Sequence, residues 1–151
     1  MNKRIMNFST TTEYSLRIMS YMALDENKLY KADEIISDLK IPQRYLRKLL
    51  TKLTKSGLIQ SIQGKYGGYK IAKKLEDISL LDIVEASGEQ IIKSECFFGL
   101  HKCVFHNRCH LHEKWIDIRN QIYEILATTK LSDIKRSKPL FLVDNFERVK
   151  T

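Results

Sequence analysis

Apolar positions along the first 56 residues recur with the 3.6-residue period of helices packed on one side. Over 10–24 (TTTEYSLRIMSYMAL), Tyr14, Ile18, Tyr21 and Met22 share a face, and Thr10 with Glu13 has the spacing of a capping box, so a first helix is expected there. A short second helix is expected over 32–39 (ADEIISDL), and Pro42 suits the opening position of a third that runs to about Ser56. In this third helix Leu46, Leu49, Leu50 and Leu53 form one stripe. Arg44, Arg47, Lys48, Thr51, Lys52 and Lys55 fall on the other side, and Gly57 is placed to end it.

The period then changes. LIQSIQ (58–63) and YKIA (69–72) flank Gly64-Lys65-Tyr66-Gly67-Gly68, which predicts two short strands joined by a glycine-rich hairpin whose glycines allow positive φ. Ser79 and Asp82 form a second capping box that opens a helix through Ala86. From about His110 to Thr128 a last, longer helix is expected, with Leu111, Trp115, Ile118, Ile122 and Ile125 spaced 4, 3, 4 and 3. Such a seam needs a partner surface, either a second copy of the chain or its own core. Residues 135–151 show little periodicity and read as a tail. The fold class is therefore mainly α with a small β-hairpin wing: a winged helix-turn-helix over 1–87, a cysteine-rich loop over 88–112 and a dimerisation helix over 110–134.

Charge and cysteine placement add the chemistry. Residues 1–75 carry 15 Lys/Arg against 6 Asp/Glu, whereas 76–151 carry 11 against 12, so the net charge of +8 belongs to the first half. That asymmetry suits a module that meets a polyanion, since phosphate neutralisation dominates DNA affinity. The Arg44, Arg47, Lys48, Thr51, Lys52 and Lys55 face of the third helix, with Arg47 able to bind guanine bidentately, is the candidate major-groove reader. Gln63, Lys65 and Tyr66 at the hairpin tip are candidates for a backbone or minor-groove contact. No window approaches the apolar length of a membrane span, no signal-peptide core follows the basic N-terminus, and no phosphate loop or nucleophile triad is visible. The expectation is a cytoplasmic DNA-binding protein and no enzyme.

All three cysteines (Cys96, Cys103, Cys109) and all four histidines (His101, His106, His110, His112) lie within 17 residues. An odd number of thiols bunched with every imidazole points to metal rather than disulfides. Paired Cys-x2-Cys knuckles of structural zinc sites are absent, and three thiolates spread along a loop suit an iron–sulfur cluster. Spacing alone leaves zinc close behind, so the alternative is a winged-helix protein with structural zinc and no sensing role. A fourth ligand is required. His112 is three residues from Cys109, while His101, His106 and His110 read as loop residues.

Together TTTEYSLRIMSYMA, IPQRYLRKLLTKLTKSGLIQSIQGKYGGYKIAK, ISLLDIVEA and the cysteine triplet resemble the Rrf2 family of regulators over about residues 9–134. The resemblance implies a homodimeric repressor or activator on a palindromic operator, with a [2Fe-2S] or [4Fe-4S] cluster sensing redox state, nitric oxide or iron–sulfur status. It implies Cys96, Cys103 and Cys109 as ligands, with His112 as the fourth, as in the iron–sulfur-assembly regulators, or Glu13, as in the nitric-oxide sensors; [2Fe-2S] is favoured. In the family's wing motif Gln63 replaces an arginine, Lys65 a proline and Tyr66 a glycine. Arg47 stands where the iron–sulfur-assembly regulators have glutamate, so the family's operator sequences do not carry over.

Overall fold

The computed structural model describes residues 8–89, 96–98, 100 and 109–137. Its elements run α1 (Thr10–Met22), α2 (Ala32–Leu39), α3 (Gln43–Lys55), β1 (Ile59–Ile62), β2 (Gly68–Ile71), α4 (Leu80–Ser87), α5 (His112–Thr128) and α6 (Leu131–Arg136). This is the expected winged helix-turn-helix followed by a long helix. Residues 138–151, most of the expected tail, lie outside the described residues.

The core is built by the helical stripes. Ile18, Met19 and Met22 of α1, Ile35 and Leu39 of α2, and Leu46, Leu49, Leu50 and Leu53 of α3 are all buried together with Ile83 and Leu131. At roughly 1.5–3 kcal/mol per fully buried aliphatic side chain, the four leucines of α3 alone fix which face of that helix is left outward. Lys40, with φ 53°, turns the chain out of α2, and the Arg17 guanidinium donates to Leu39 O at its end (3.0 Å). Gly57, with φ 72°, ends α3: Leu58 N–H donates to Leu53 O (3.1 Å) and Gly57 N–H to Thr54 O (3.0 Å). This pairing satisfies carbonyls that the helix itself leaves open.

Between α1 and α2, Tyr21 donates to Glu34 (3.3 Å) and to Asp38. Burial, together with Asp38, pushes the Tyr21 phenol well above its usual range. The expected cap of α1 is corrected: Ser9, not Thr10, is the N-cap, its Oγ accepting from Thr12 N–H (3.3 Å). The reciprocal carboxylate is Glu89, which accepts from Ser9 N–H (2.9 Å) from 80 residues away. Glu13 sits one position too late to serve that cap.

β1 and β2 pair antiparallel with Ile59 opposite Ile71 and Ile62 opposite Gly68. A third backbone segment joins them, since Tyr30 and Tyr69 exchange both N–H···O bonds at 2.8 Å. Only Gly64 of the hairpin glycines has positive φ (106°). Gly67 and Gly68 are required for a different reason, close approach: a Cβ on Gly67 would lie 2.1 Å from Ile62 O, and one on Gly68 would lie 2.6 Å from Tyr30 O.

Beyond the hairpin, the Ser79–Asp82 capping box is present and α4 ends at Gly88 (φ 87°). α5 ends at Thr128, and an element not expected from the sequence follows it. Leu80 N–H donates to Thr129 O (3.0 Å) and Leu131 N–H to Ile78 O (2.8 Å), which returns the chain to the first unit and buries Leu131 completely at the start of α6. The Lys130 N–H, donating at 2.8 Å, holds the Asp133 carboxyl below its usual range. Gly68→Ala should cost about 1–3 kcal/mol of stability because the methyl must displace backbone rather than a side chain. Thermal unfolding measures this, and an unchanged midpoint would show that the Tyr30 bridge yields freely.

Candidate nucleic-acid interface and metal centre

α3 contains no Asp or Glu, and its leucine stripe faces inward, so its outward face is basic. Arg44, Arg47, Lys48, Thr51 and Lys55 are exposed there. The ion pairs among the described residues are Lys28–Glu34, Lys135–Glu26 and Arg136–Asp133, none on α3. Thr51 donates to Arg47 O (2.9 Å) and so turns its hydroxyl back on the helix. Lys52 differs from the others. It is half-buried, and its ammonium donates to Ser87 O at the end of α4 (2.6 Å).

The sequence reading missed Tyr45, which is partly exposed on the same helix: its ring meets the edge of Tyr14 (6.1 Å) and lies under the Arg44 guanidinium (5.1 Å). An aromatic at position 45, between Arg44 and the core residue Leu46, is a weak signal that periodicity does not separate from core. At the hairpin tip Gln63, Lys65 and Tyr66 are exposed; Tyr66 is 81% accessible, and the Lys65 ammonium sits 5.7 Å from its ring centre. A narrow two-stranded support thus carries one cation and one phenol ring beyond the body of the unit, beside the basic helix.

The cysteine segment is described at its two ends. Cys96 and Cys109 are half-buried and form no disulfide with each other; Cys103, His101 and His106 lie outside the described residues. His112 is the first residue of α5, and its N–H donates to Cys109 O (3.0 Å), so the thiol and the imidazole are held on one turn. From the other end Phe97, next to Cys96, packs edge-on against Trp115 in the opening turn of α5 (5.6 Å). Glu13 is on α1, half-buried. Among the described residues no three His, Cys, Asp or Glu side chains come together to hold a metal.

A second small cluster, Leu81 and Val84 of α4 with Leu126 of α5, joins the two halves, and Phe8, Leu16 and Ile122 pack on it. The expected α5 seam is thereby divided. Trp115 and Ile122 turn toward the chain's own elements, whereas Ile118 and Ile125 are 47% and 62% exposed. At 100° per residue Ile118 and Ile125 form one edge of the stripe and Ile122, Trp115 and Leu126 the other.

A three-helix unit with a basic, inward-anchored third helix and a protruding hairpin defines a winged-helix DNA-binding regulator. The chain belongs to the Rrf2 family: residues 8–137 match that family, described as iron-dependent transcriptional regulators. It is 34% identical over 131 residues to an HTH-type transcriptional regulator of Aquifex aeolicus, covering 85% of this chain and 91% of that one. It is 32% identical over 108 residues to the HTH-type transcriptional regulator NsrR of Shouchella clausii, 70% of this chain and 72% of the other. Among solved structures it resembles CymR, the global cysteine regulator of B. subtilis, with a TM-score of 0.73 at 28% identity, over 87% of this chain and 98% of that one. These relatives are regulators, not enzymes. No helix among the described residues is long and apolar enough to cross a membrane.

Arg47→Ala should weaken binding to the operator by roughly 1–3 kcal/mol and relax base preference at one position, whereas Lys48→Ala should lower affinity evenly across sequences. Gel-shift titrations on operator and unrelated duplex measure both. Unchanged affinity in both variants would remove α3 as the reader.

Proposed function

We propose that this chain is a homodimeric transcription regulator whose affinity for a palindromic operator is set by an iron–sulfur cluster, [2Fe-2S], held by Cys96, Cys103, Cys109 and His112. The observation that carries the reading is the meeting of both ends of the cysteine segment at the first turn of α5. Phe97 docks on Trp115 while Cys109 accepts from His112 N–H. Two cysteine sulfurs and an imidazole in that neighbourhood are donors that fit iron–sulfur chemistry. The family's description as iron-dependent supports it too. Glu13 on α1 is the competing fourth ligand.

Such a cluster supplies a site that is lost, oxidised or nitrosylated as conditions change. The remaining steps belong to the chain. The open N–H groups at the start of α5 favour negative charge beside Cys109. Movement of that turn is passed along α5 to Leu126, where Leu81 and Val84 of α4 receive it. Control of DNA affinity is then a shift between two arrangements of the same dimer, which requires the cluster to interact differently with each.

The dimer contact assigned to α5 is its exposed edge, Ile118 and Ile125, with Tyr123 (49% exposed) flanking them. A helix that leaves such residues in water gains from burying them against a second copy. Ile125→Glu should shift the protein toward monomer in sedimentation at low micromolar concentration, without loss of helical content. A full dimer under those conditions would assign another surface to self-association.

Anaerobic purification with a visible spectrum and iron and sulfide counts separates the cluster from structural zinc. Parallel reconstitution of His112→Ala and Glu13→Ala then identifies the fourth ligand: His112→Ala should lower iron content and alter the spectrum, and Glu13→Ala should leave both unchanged. The reverse pattern would transfer the role to Glu13, and zinc without sulfide would sink the cluster.

A further inference from the structure

Of the five basic residues on α3, four are exposed and one is not. Lys52 is half-buried, and its ammonium donates to the carbonyl of Ser87, the last residue of α4 (2.6 Å). A cation at this place meets the negative end of the helix and satisfies a carbonyl that α4 cannot pair internally. Ser87 does more than accept from Lys52. Its hydroxyl lies 2.6 Å from both Val84 O and the Thr12 hydroxyl in a buried position, and gives its one proton to one of them. Thr12 in turn donates to the Glu89 carboxylate (3.0 Å), which accepts from Ser9 N–H. The end of α4 is thus a polar joint between the recognition helix, the cap of α1 and the first residues of the cysteine segment.

We propose that Lys52 is a positioning residue rather than a DNA contact: it fixes the placement of α3 against residues 87–89, so that a displacement of the α4 end displaces the reading helix. Three further features agree with this. α4 is clamped on both sides, Ile83 in the main core and Leu81 and Val84 against α5, so its end cannot move independently of α5. Gly88 turns the chain away with φ 87°, immediately before Glu89. A Cβ at Gly88 would meet the Lys52 ammonium at 3.4 Å, which places that ammonium over the turn. The part of the proposal that concerns regulation rests on the cluster reading above; the part that concerns placement does not.

Salt dependence separates the two roles. A lysine that neutralises a phosphate contributes about 0.9 to the slope of log affinity against log salt, and a positioning residue contributes nothing. Operator binding is measured for the full-length dimer across a salt series, for the parent, Lys52→Met, Lys52→Arg and Lys48→Ala. Lys52→Met should bind about tenfold more weakly at every salt concentration with the parent's slope, as expected when a charge-assisted hydrogen bond inside the protein is lost. Lys52→Arg should recover most of that affinity, and Lys48→Ala should lower the slope. A slope lowered by about one in Lys52→Met would overturn the proposal by making Lys52 a phosphate contact.

The same series is run on cluster-loaded and cluster-stripped protein. Lys52→Met should bring the ratio of the two affinities toward one, and Lys48→Ala should keep it. A parental ratio retained in Lys52→Met would refute the link to the cysteine segment. A parent indifferent to the cluster would refute the cluster reading, with the slope still deciding where Lys52 acts. Should Lys52→Met fail to fold, Glu89→Gln tests the joint from its other side and is expected to change the ratio at constant slope; no change in either quantity would overturn the proposal.

Discussion

Helix α4 is buried against two neighbours, with Asp82 and Glu85 left in water, and that double burial is what joins the two halves of the chain. Ile83 belongs to the core shared by α1, α2 and α3, while Leu81 and Val84 belong to the cluster shared with α5. Close-packed interiors deform in discrete steps rather than smoothly, so a helix held on both sides transmits displacement instead of absorbing it. The third helix and the far end of α5 both meet this two-turn element, α3 through Lys52 and α5 through Leu126. The return of the chain after α5 strengthens it, because Thr129 and Leu131 pair with Leu80 and Ile78 around the α4 cap.

The DNA-facing side is simpler in its physics. Leucine burial decides the rotation of α3, and the absence of carboxylates on that helix leaves its outward cations to an anionic partner. The hairpin is set beside it by a backbone bridge at Tyr30, which tolerates no side chain at Gly68. The proposed base reading and backbone contact therefore fall on a helix and a hairpin that are both formed in the chain alone.

The fold was legible because its signals are local. The periodic stripes, the Ser79–Asp82 cap and the glycine-rich hairpin each depend on residues within a few positions of one another, and all three occur where the pattern places them. What escaped was non-local. Thr10 and Glu13 have capping-box spacing, yet Ser9 holds the cap and Glu89 closes it from the far end of α4. Lys52 has the period of a groove-facing residue, and its burial and its carbonyl partner on α4 distinguish it from Lys48. α6 is too short for periodicity to reveal, and the apolar α5 seam reads as one stripe although its two edges face different neighbours. At the candidate metal centre the bunching of thiols and imidazoles was visible in the sequence, and the meeting of Phe97 with Trp115 needed coordinates.

If the cysteine segment controls the reading helix through α4, cluster occupancy and DNA binding share one coupling free energy, commonly about 1–3 kcal/mol or 5–150-fold in affinity. The most direct measurement is operator affinity at fixed salt for one anaerobic preparation before and after its iron and sulfide are removed, with unrelated duplex as the reference. The account predicts that operator affinity changes by at least about fivefold while affinity for unrelated duplex stays constant. Equal operator affinity in the loaded and stripped protein would contradict it.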